Sequence, residues 1–213
     1  MLFSFWSAPG IRGLNQGKEG GGRGTARLAA PKGPGVKTGD GQPGDLRVAV
    51  LGAGFLGSAV SAKLVAAGLH TTVWGTSPSV SAQLVNAGAI VAASPAEAAT
   101  NAEVVITILP TVAAVQSVIF DGGVARSFVP GAVWAQMSTI GGAATADITS
   151  RLDRLRPDVL FVDAPVSGVD TLTEAGQLLI LAAGPLAAEA VVSPAFSAIC
   201  RRTVWWTRAA RSA

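Results

Sequence analysis

From Leu46 onward, short apolar runs alternate with Ala-rich stretches of helical period. Leu46–Leu51, Thr71–Trp74, Ala89–Val91, Val104–Ile108, Ala132–Gln136, Val159–Val162 and Leu178–Ala182 read as strands. Several are apolar at successive positions, as strands buried on both faces must be. Between them, Leu56–Ala67, Val80–Ala87, Pro95–Thr100, Val112–Val118 and Ala143–Leu155 read as helices. A last helix is expected after Pro185, interrupted at Pro194 because proline lacks the N–H that continues the ladder. Strand–helix alternation builds βαβ units, so the predicted class is α/β, a doubly wound, mostly parallel sheet with helices on both faces.

The first 45 residues do not share this texture. They hold 12 of the 26 glycines together with Pro9, Pro31, Pro34 and Pro43, and no helical or strand period survives there. Residues 1–45 therefore read as a disordered leader, with a transit peptide as the alternative. Residues 46–200 read as the folded domain and residues 201–213 as a basic tail. Charge follows the same division. Residues 1–45 carry six basic and three acidic side chains, residues 46–200 six and ten, and residues 201–213 four and none. The basicity belongs to the ends, and a mildly acidic body argues against nucleic acid as a partner. One cysteine, Cys200, and one histidine, His70, leave no material for an internal disulfide, a cysteine-based zinc site or a His-rich metal site, and argue against a His-centred triad. No apolar run reaches the ~18–20 residues of a membrane span. A soluble cytoplasmic protein is expected.

The most informative segment follows the first strand. Leu46–Leu51 runs directly into Gly52-Ala53-Gly54-Phe55-Leu56-Gly57, and a helix opens there. In this context the glycines have separate tasks: a tight turn at Gly52, close approach of a pyrophosphate at Gly54, and helix-to-strand packing at Gly57. The helix N-terminus supplies free N–H groups and partial positive charge to the phosphates. The reading is a Rossmann-type dinucleotide site. At the end of the second strand, Trp74-Gly75-Thr76-Ser77 offers no acid for a ribose 2′-hydroxyl, and no Asp or Glu occurs between Asp45 and Glu97. No arginine clamp is evident either, since none lies between Arg47 and Arg126. Hydroxyls at Thr76 and Ser77 can donate to a 2′-phosphate, which favours NADP(H) over NAD(H), and Trp74 is placed to report binding by its fluorescence.

With Thr107-Ile-Leu-Pro-Thr111, Met137-Ser-Thr-Ile140 and Asp163-Ala-Pro-Val-Ser-Gly168 in order after the glycine loop, the sequence resembles the β-hydroxyacid dehydrogenase family. That family includes 3-hydroxyisobutyrate dehydrogenase and the cofactor domain of 6-phosphogluconate dehydrogenase. The similarity runs from about Leu46 to Trp206. It implies NAD(P)-dependent interconversion of a small 3-hydroxy acid and its aldehyde or ketone. Leu109 and Pro110 resemble the turn lining the nicotinamide-ribose side, Thr139 a further cofactor contact, and Ser138 a residue near substrate. Ser167 and Gly168 resemble the pair that binds the substrate carboxylate. Read alone, Ser138 and Thr139 serve equally as caps of the following helix, and Pro165 and Gly168 as turn formers.

In the resembled family a lysine on a following all-α domain is the general acid/base, in a motif similar to G-x-x-x-K-x-x-N. The lysines here are Lys18, Lys32, Lys37 and Lys63, and none sits in such a motif. Lys63 lies more than two turns into the helix after the glycine loop, His70 at the wrong edge of the sheet, and Asp163 at a position that is structural in the family. Cys200 reads as incidental. The expectation is a Rossmann domain that ends where the all-α domain would begin. It should bind cofactor, turn over little or not at all, and self-associate through apolar surface left uncovered. The alternatives are a non-enzymatic NADP-binding or scaffolding module and an imine-reductase-like oxidoreductase; Asp163–Gly168 favours the hydroxyacid branch over the latter.

Overall fold

A computed structural model describes residues 45–75, 77–167 and 178–207. The expected leader (Asp45 apart), Thr76, Gly168 and the end of the basic tail lie outside the described residues.

Six parallel strands form the centre of the sheet: β1 (Arg47–Leu51), β2 (His70–Trp74), β3 (Ile90–Val91), β4 (Val104–Thr107), β5 (Val133–Gln136) and β6 (Leu160–Asp163). The order is β3-β2-β1-β4-β5-β6. Beyond Ala164–Pro165 the chain continues as β7 (Val166–Ser167), and β8 (Leu179–Gly184) returns antiparallel along β6 and β7. The last strand, β9 (Arg202–Thr207), pairs with β8 in parallel from Leu179↔Arg202 to Gly184↔Thr207.

Alternate residues of the central strands feed two separate cores. Val48 and Val50 of β1 join Val104, Ile106, Val133 and Ala135 beneath α1 (Phe55–Ala66), α2 (Pro78–Ala87) and α7 (Leu186–Ile199). Ala49 and Leu51 point the other way. There they meet Val105, Trp134 and Phe161 under α3 (Pro95–Ala99), α4 (Val112–Gln116), α5 (Val124–Ser127) and α6 (Gly142–Leu155). Burial on both faces explains why these strands read as unbroken apolar runs. Trp134 anchors the second core, edge-on to Phe161 at 5.0 Å and to Phe120 at 6.4 Å. Among the described residues no helix is long and apolar enough to cross a membrane.

Three features depart from the sequence reading. The helix after Pro185 is not interrupted: α7 runs through Pro194. Pro194 and Ala190, whose carbonyl loses its donor, are both exposed, so water can satisfy the orphaned oxygen. A π-helical turn, Ser117–Asp121, extends α4, and α5 follows it. Finally, Arg202–Thr207, expected within a basic tail, is a full strand. Its alternate residues Thr203 and Trp205 face α7, lining a cavity of about 40 Å³ with Val192 and Phe196.

Candidate cofactor site

The chain passes from β3 on one side of β1 to β4 on the other, so a crevice opens between the carboxyl ends of β1 and β4, where open α/β sheets bind ligands. Its floor is the glycine loop. Gly52 adopts φ +98°, a left-handed conformation that glycine accepts without strain. The N–H groups of Gly52 and Ala53 both donate to the carbonyl of Trp74, at 2.9 and 3.1 Å, tying the loop to the end of β2. A β-carbon at Gly52 would lie 2.3 Å from the Ile108 carbonyl oxygen, so the loops after β1 and β4 touch. Gly54, by contrast, has nothing within 4 Å of where its β-carbon would be.

Helix α1 starts immediately after Gly54 with no side-chain cap and no acid in its first turn. Its first N–H groups have no intrahelical acceptor and carry the positive end of the helix dipole. Ser58 turns its hydroxyl back to the carbonyls of Ala53 and Gly54, at 2.8 and 2.6 Å, and leaves those donors uncovered. Gly54, Phe55 and Leu56 are thus presented to the crevice, with Phe55 78% exposed. This donor set suits a pyrophosphate.

At the carboxyl end of β2, Trp74 is half-buried and Gly75 leads towards α2. Ser77 is the exposed N-cap of α2, with its hydroxyl 3.2 Å from that of Ser79, and the first turn of this helix also carries no acid. On the other side of the crevice, Leu109 is half-buried and Pro110 exposed, while Thr111 caps α4 by accepting from Ala114 N–H at 3.1 Å. Thr139 is exposed and Ser138 buried. Neither caps α6, whose N-cap is Gly141 with no side-chain cap. The Ser138 hydroxyl instead accepts from Leu109 N–H at 2.8 Å, joining the loops after β4 and β5. Ser167 is exposed at the end of β7, opposite Leu179.

Gln136 escaped the sequence reading as a site residue, and Thr107 entered it only as the first residue of the Thr107–Thr111 motif. Gln136 and Thr107 close β5 and β4, and both are fully buried. Gln136 brackets the backbone of Ser138, accepting from its N–H at 2.6 Å and donating to its carbonyl at 2.7 Å. Thr107 accepts from Trp134 Nε1 at 3.0 Å. The available signal was a polar residue ending each of two otherwise apolar strands.

Of the excluded candidates, Asp163 ends β6 at the carboxyl edge in register with Gln136, while the other three stay away from the crevice. Lys63 lies in the last turn of α1 and His70 opens β2, both at the amino edge of the sheet. Cys200 follows α7 with its sulfur 3.4 Å from the Thr203 hydroxyl. Among the described residues no three His, Cys, Asp or Glu side chains gather as a metal site.

Comparison with known proteins agrees with this geometry. A family model described as the NAD binding domain of 6-phosphogluconate dehydrogenase matches residues 47–207. Glyoxylate/succinic semialdehyde reductase 1 of Arabidopsis thaliana is 35% identical over 161 residues, covering 75% of this chain and 55% of that protein. The cytokine-like nuclear factor N-PAC of Danio rerio is 31% identical over 147 residues, 67% of this chain and 30% of that one. The crystal structure of 3-hydroxyisobutyrate dehydrogenase from Salmonella typhimurium superposes with a TM-score of 0.70 at 30% identity, covering 76% of this chain and 56% of that one. The chain therefore spans about half the length of the dehydrogenase and reductase it matches. It belongs to the family of the NAD-binding domain of 6-phosphogluconate dehydrogenase, and its homologues are 3-hydroxyisobutyrate dehydrogenase-like.

Proposed function

We propose that the chain binds a nicotinamide dinucleotide, NADP(H) in preference to NAD(H), as the cofactor domain of an oxidoreductase acting on a small 3-hydroxy acid or its semialdehyde. The observation that carries this reading is the uncapped, acid-free N-terminus of α1 opening beside the unobstructed Gly54 at the switch point of the sheet. Pyrophosphate would be held by the N–H groups of the glycine loop, Gly52 through Gly57. The absence of any acid from Gly75 to the first turn of α2 leaves no charge to repel a 2′-phosphate, and Thr76 and Ser77 supply hydroxyls for it. Leu109, Pro110 and Thr139 would line the nicotinamide side. Bound there, the nicotinamide ring supplies or accepts hydride. Ser167 and Gly168 would receive the substrate carboxylate, and the cytoplasm is the compartment that a lone cysteine suits.

Lys63 is the one lysine among the described residues, and it is remote from the crevice: eight positions along α1 from Phe55 is about 12 Å at 1.5 Å per residue. No lysine of this sequence sits in a motif like that of the resembled family, and a general acid/base contributes about 10²–10⁴-fold, so this chain by itself is expected to turn over little or nothing.

The test is titration of the purified chain with NADPH and NADH, read by tryptophan fluorescence, together with an assay for 3-hydroxy acid oxidation. Saturable binding, tighter for NADPH and lost in Gly54→Asp, is expected. Absence of binding to either cofactor would overturn the proposal. Turnover in the ordinary enzymatic range of about 1–10³ s⁻¹ would overturn the expected inactivity.

A further inference from the structure

The ladder between β4 and β5 ends where Met137 N–H donates to Thr107 carbonyl oxygen at 2.9 Å. Beyond that bond the two chains leave the sheet, one to form the Leu109–Pro110 turn and the other the Ser138–Thr139 loop. Backbone pairing no longer holds them together, and side chains take over. Gln136 grips the peptide units of Ser138 by both ends of its amide, at 2.6 and 2.7 Å. Its Oε1 is also 3.5 Å from the Thr107 hydroxyl, which in turn accepts from Trp134 Nε1 at 3.0 Å. The Ser138 hydroxyl then accepts from Leu109 N–H at 2.8 Å. Leu109 lies against Gly52, where an added β-carbon would meet its Cδ2 at 2.8 Å. Polar contacts thus run without a break from the middle of the second core to the wall of the crevice.

We infer that Trp134, Thr107, Gln136 and Ser138 form a latch that fixes the loops after β4 and β5 relative to each other, with Ser138 a positioning residue acting through Leu109 instead of a contact to substrate. The inference rests on the proposed dinucleotide site. Trp134, Thr107 and Gln136 are fully buried and Ser138 is 7% exposed, so water cannot replace a lost partner in the inner part of the network. The latch touches neither the N-terminus of α1 nor the end of β2. It should therefore serve the nicotinamide half of the ligand and leave the adenosine half alone.

That asymmetry gives the experiment. Dissociation constants are measured on the full chain for the tighter-binding dinucleotide and for its adenosine half alone, adenosine 2′,5′-bisphosphate for NADPH or AMP for NADH. Ser138→Ala strands the Leu109 N–H and should weaken the dinucleotide about tenfold, the equivalent of one neutral hydrogen bond. The adenosine half should change by less than about twofold. Ser138→Thr keeps the hydroxyl and should restore dinucleotide affinity. Gln136→Leu, where it folds, should show the same split more strongly. Unchanged dinucleotide affinity in Ser138→Ala, or an equal loss for both ligands, would overturn the latch while the dinucleotide site stands. A wild-type chain that binds neither ligand would overturn the site and the latch with it.

Discussion

A β-carbon placed on Gly57 would lie 2.2 Å from the carbonyl oxygen of Gly52. These two glycines meet backbone to backbone, whether or not anything occupies the crevice. Gly54, between them, meets nothing. The glycine motif thus divides into two positions the fold requires and one that only a ligand would require. Gly57→Ala should lower unfolding free energy by about 1–3 kcal/mol through overpacking against backbone that cannot move aside. Gly54→Ala should leave the melting temperature alone and weaken cofactor binding. Thermal melts of both variants, paired with NADPH titrations, check the division; equal melting temperatures would refute it.

Ser77→Asp places a carboxylate at the N-cap of α2, where it also caps well. The variant should fold at least as stably as the parent. Its charge opposes a 2′-phosphate and suits a 2′-hydroxyl. NADPH affinity should fall by about tenfold or more while NADH affinity holds or rises. Parallel titrations with the two cofactors read this directly, and an equal effect on both would show that the 2′ position is not read at Ser77.

Pro194 sits inside α7 on its exposed side. Pro194→Ala returns an N–H to the helix ladder opposite the Ala190 carbonyl and removes the ring's clash with the preceding turn. A gain of about 1–3 kcal/mol is expected after allowing for the greater freedom of the unfolded chain. Urea denaturation of the two proteins measures it, and a loss of stability would mean that the ring packs favourably where it is.

Arg156 organises the approach to β6. Its guanidinium binds Asp158 through two bonds of 2.7 and 2.8 Å and also donates to the carbonyls of Ala125 and Phe128, each at 2.9 Å. The hydrogen bond from Arg156 holds the Asp158 carboxyl below its usual value. A depressed carboxylate stabilises the fold above its unfolded-state pKa, and the contribution fades as pH falls through the folded one. Asp158→Asn should therefore melt below the wild type at neutral pH, with the gap closing below about pH 4. Melting temperatures across pH 2–7 test the sign. Asp158 is partly exposed, so the gap should also shrink in high salt.

The central strands were legible because burial on both faces writes itself as continuous Val, Ile and Ala. The glycine loop was legible because close backbone approach admits no other residue at Gly52 and Gly57. Strand β9 was not. Its six residues are exposed or only half-buried, so Arg202–Thr207 lacks the apolar run that marks β4 and begins with charges that suggest a tail. Pro194 misled because the penalty for proline depends on whether the orphaned carbonyl faces water, which period alone does not tell. The roles of Gln136 and Ser138 depend on partners 29 residues apart, such as Leu109 and Ser138, and only the register of β4 on β5 brings these together.

Trp134 has a consequence of a different kind. Its ring is sealed among Phe120, Phe128 and Phe161, and its Nε1 proton is held by Thr107. Such a proton exchanges with deuterium only when the sheet opens around it. The indole resonance of this one side chain is a built-in clock for the rate at which β4 and β5 part, and ligands that fill the crevice should slow it.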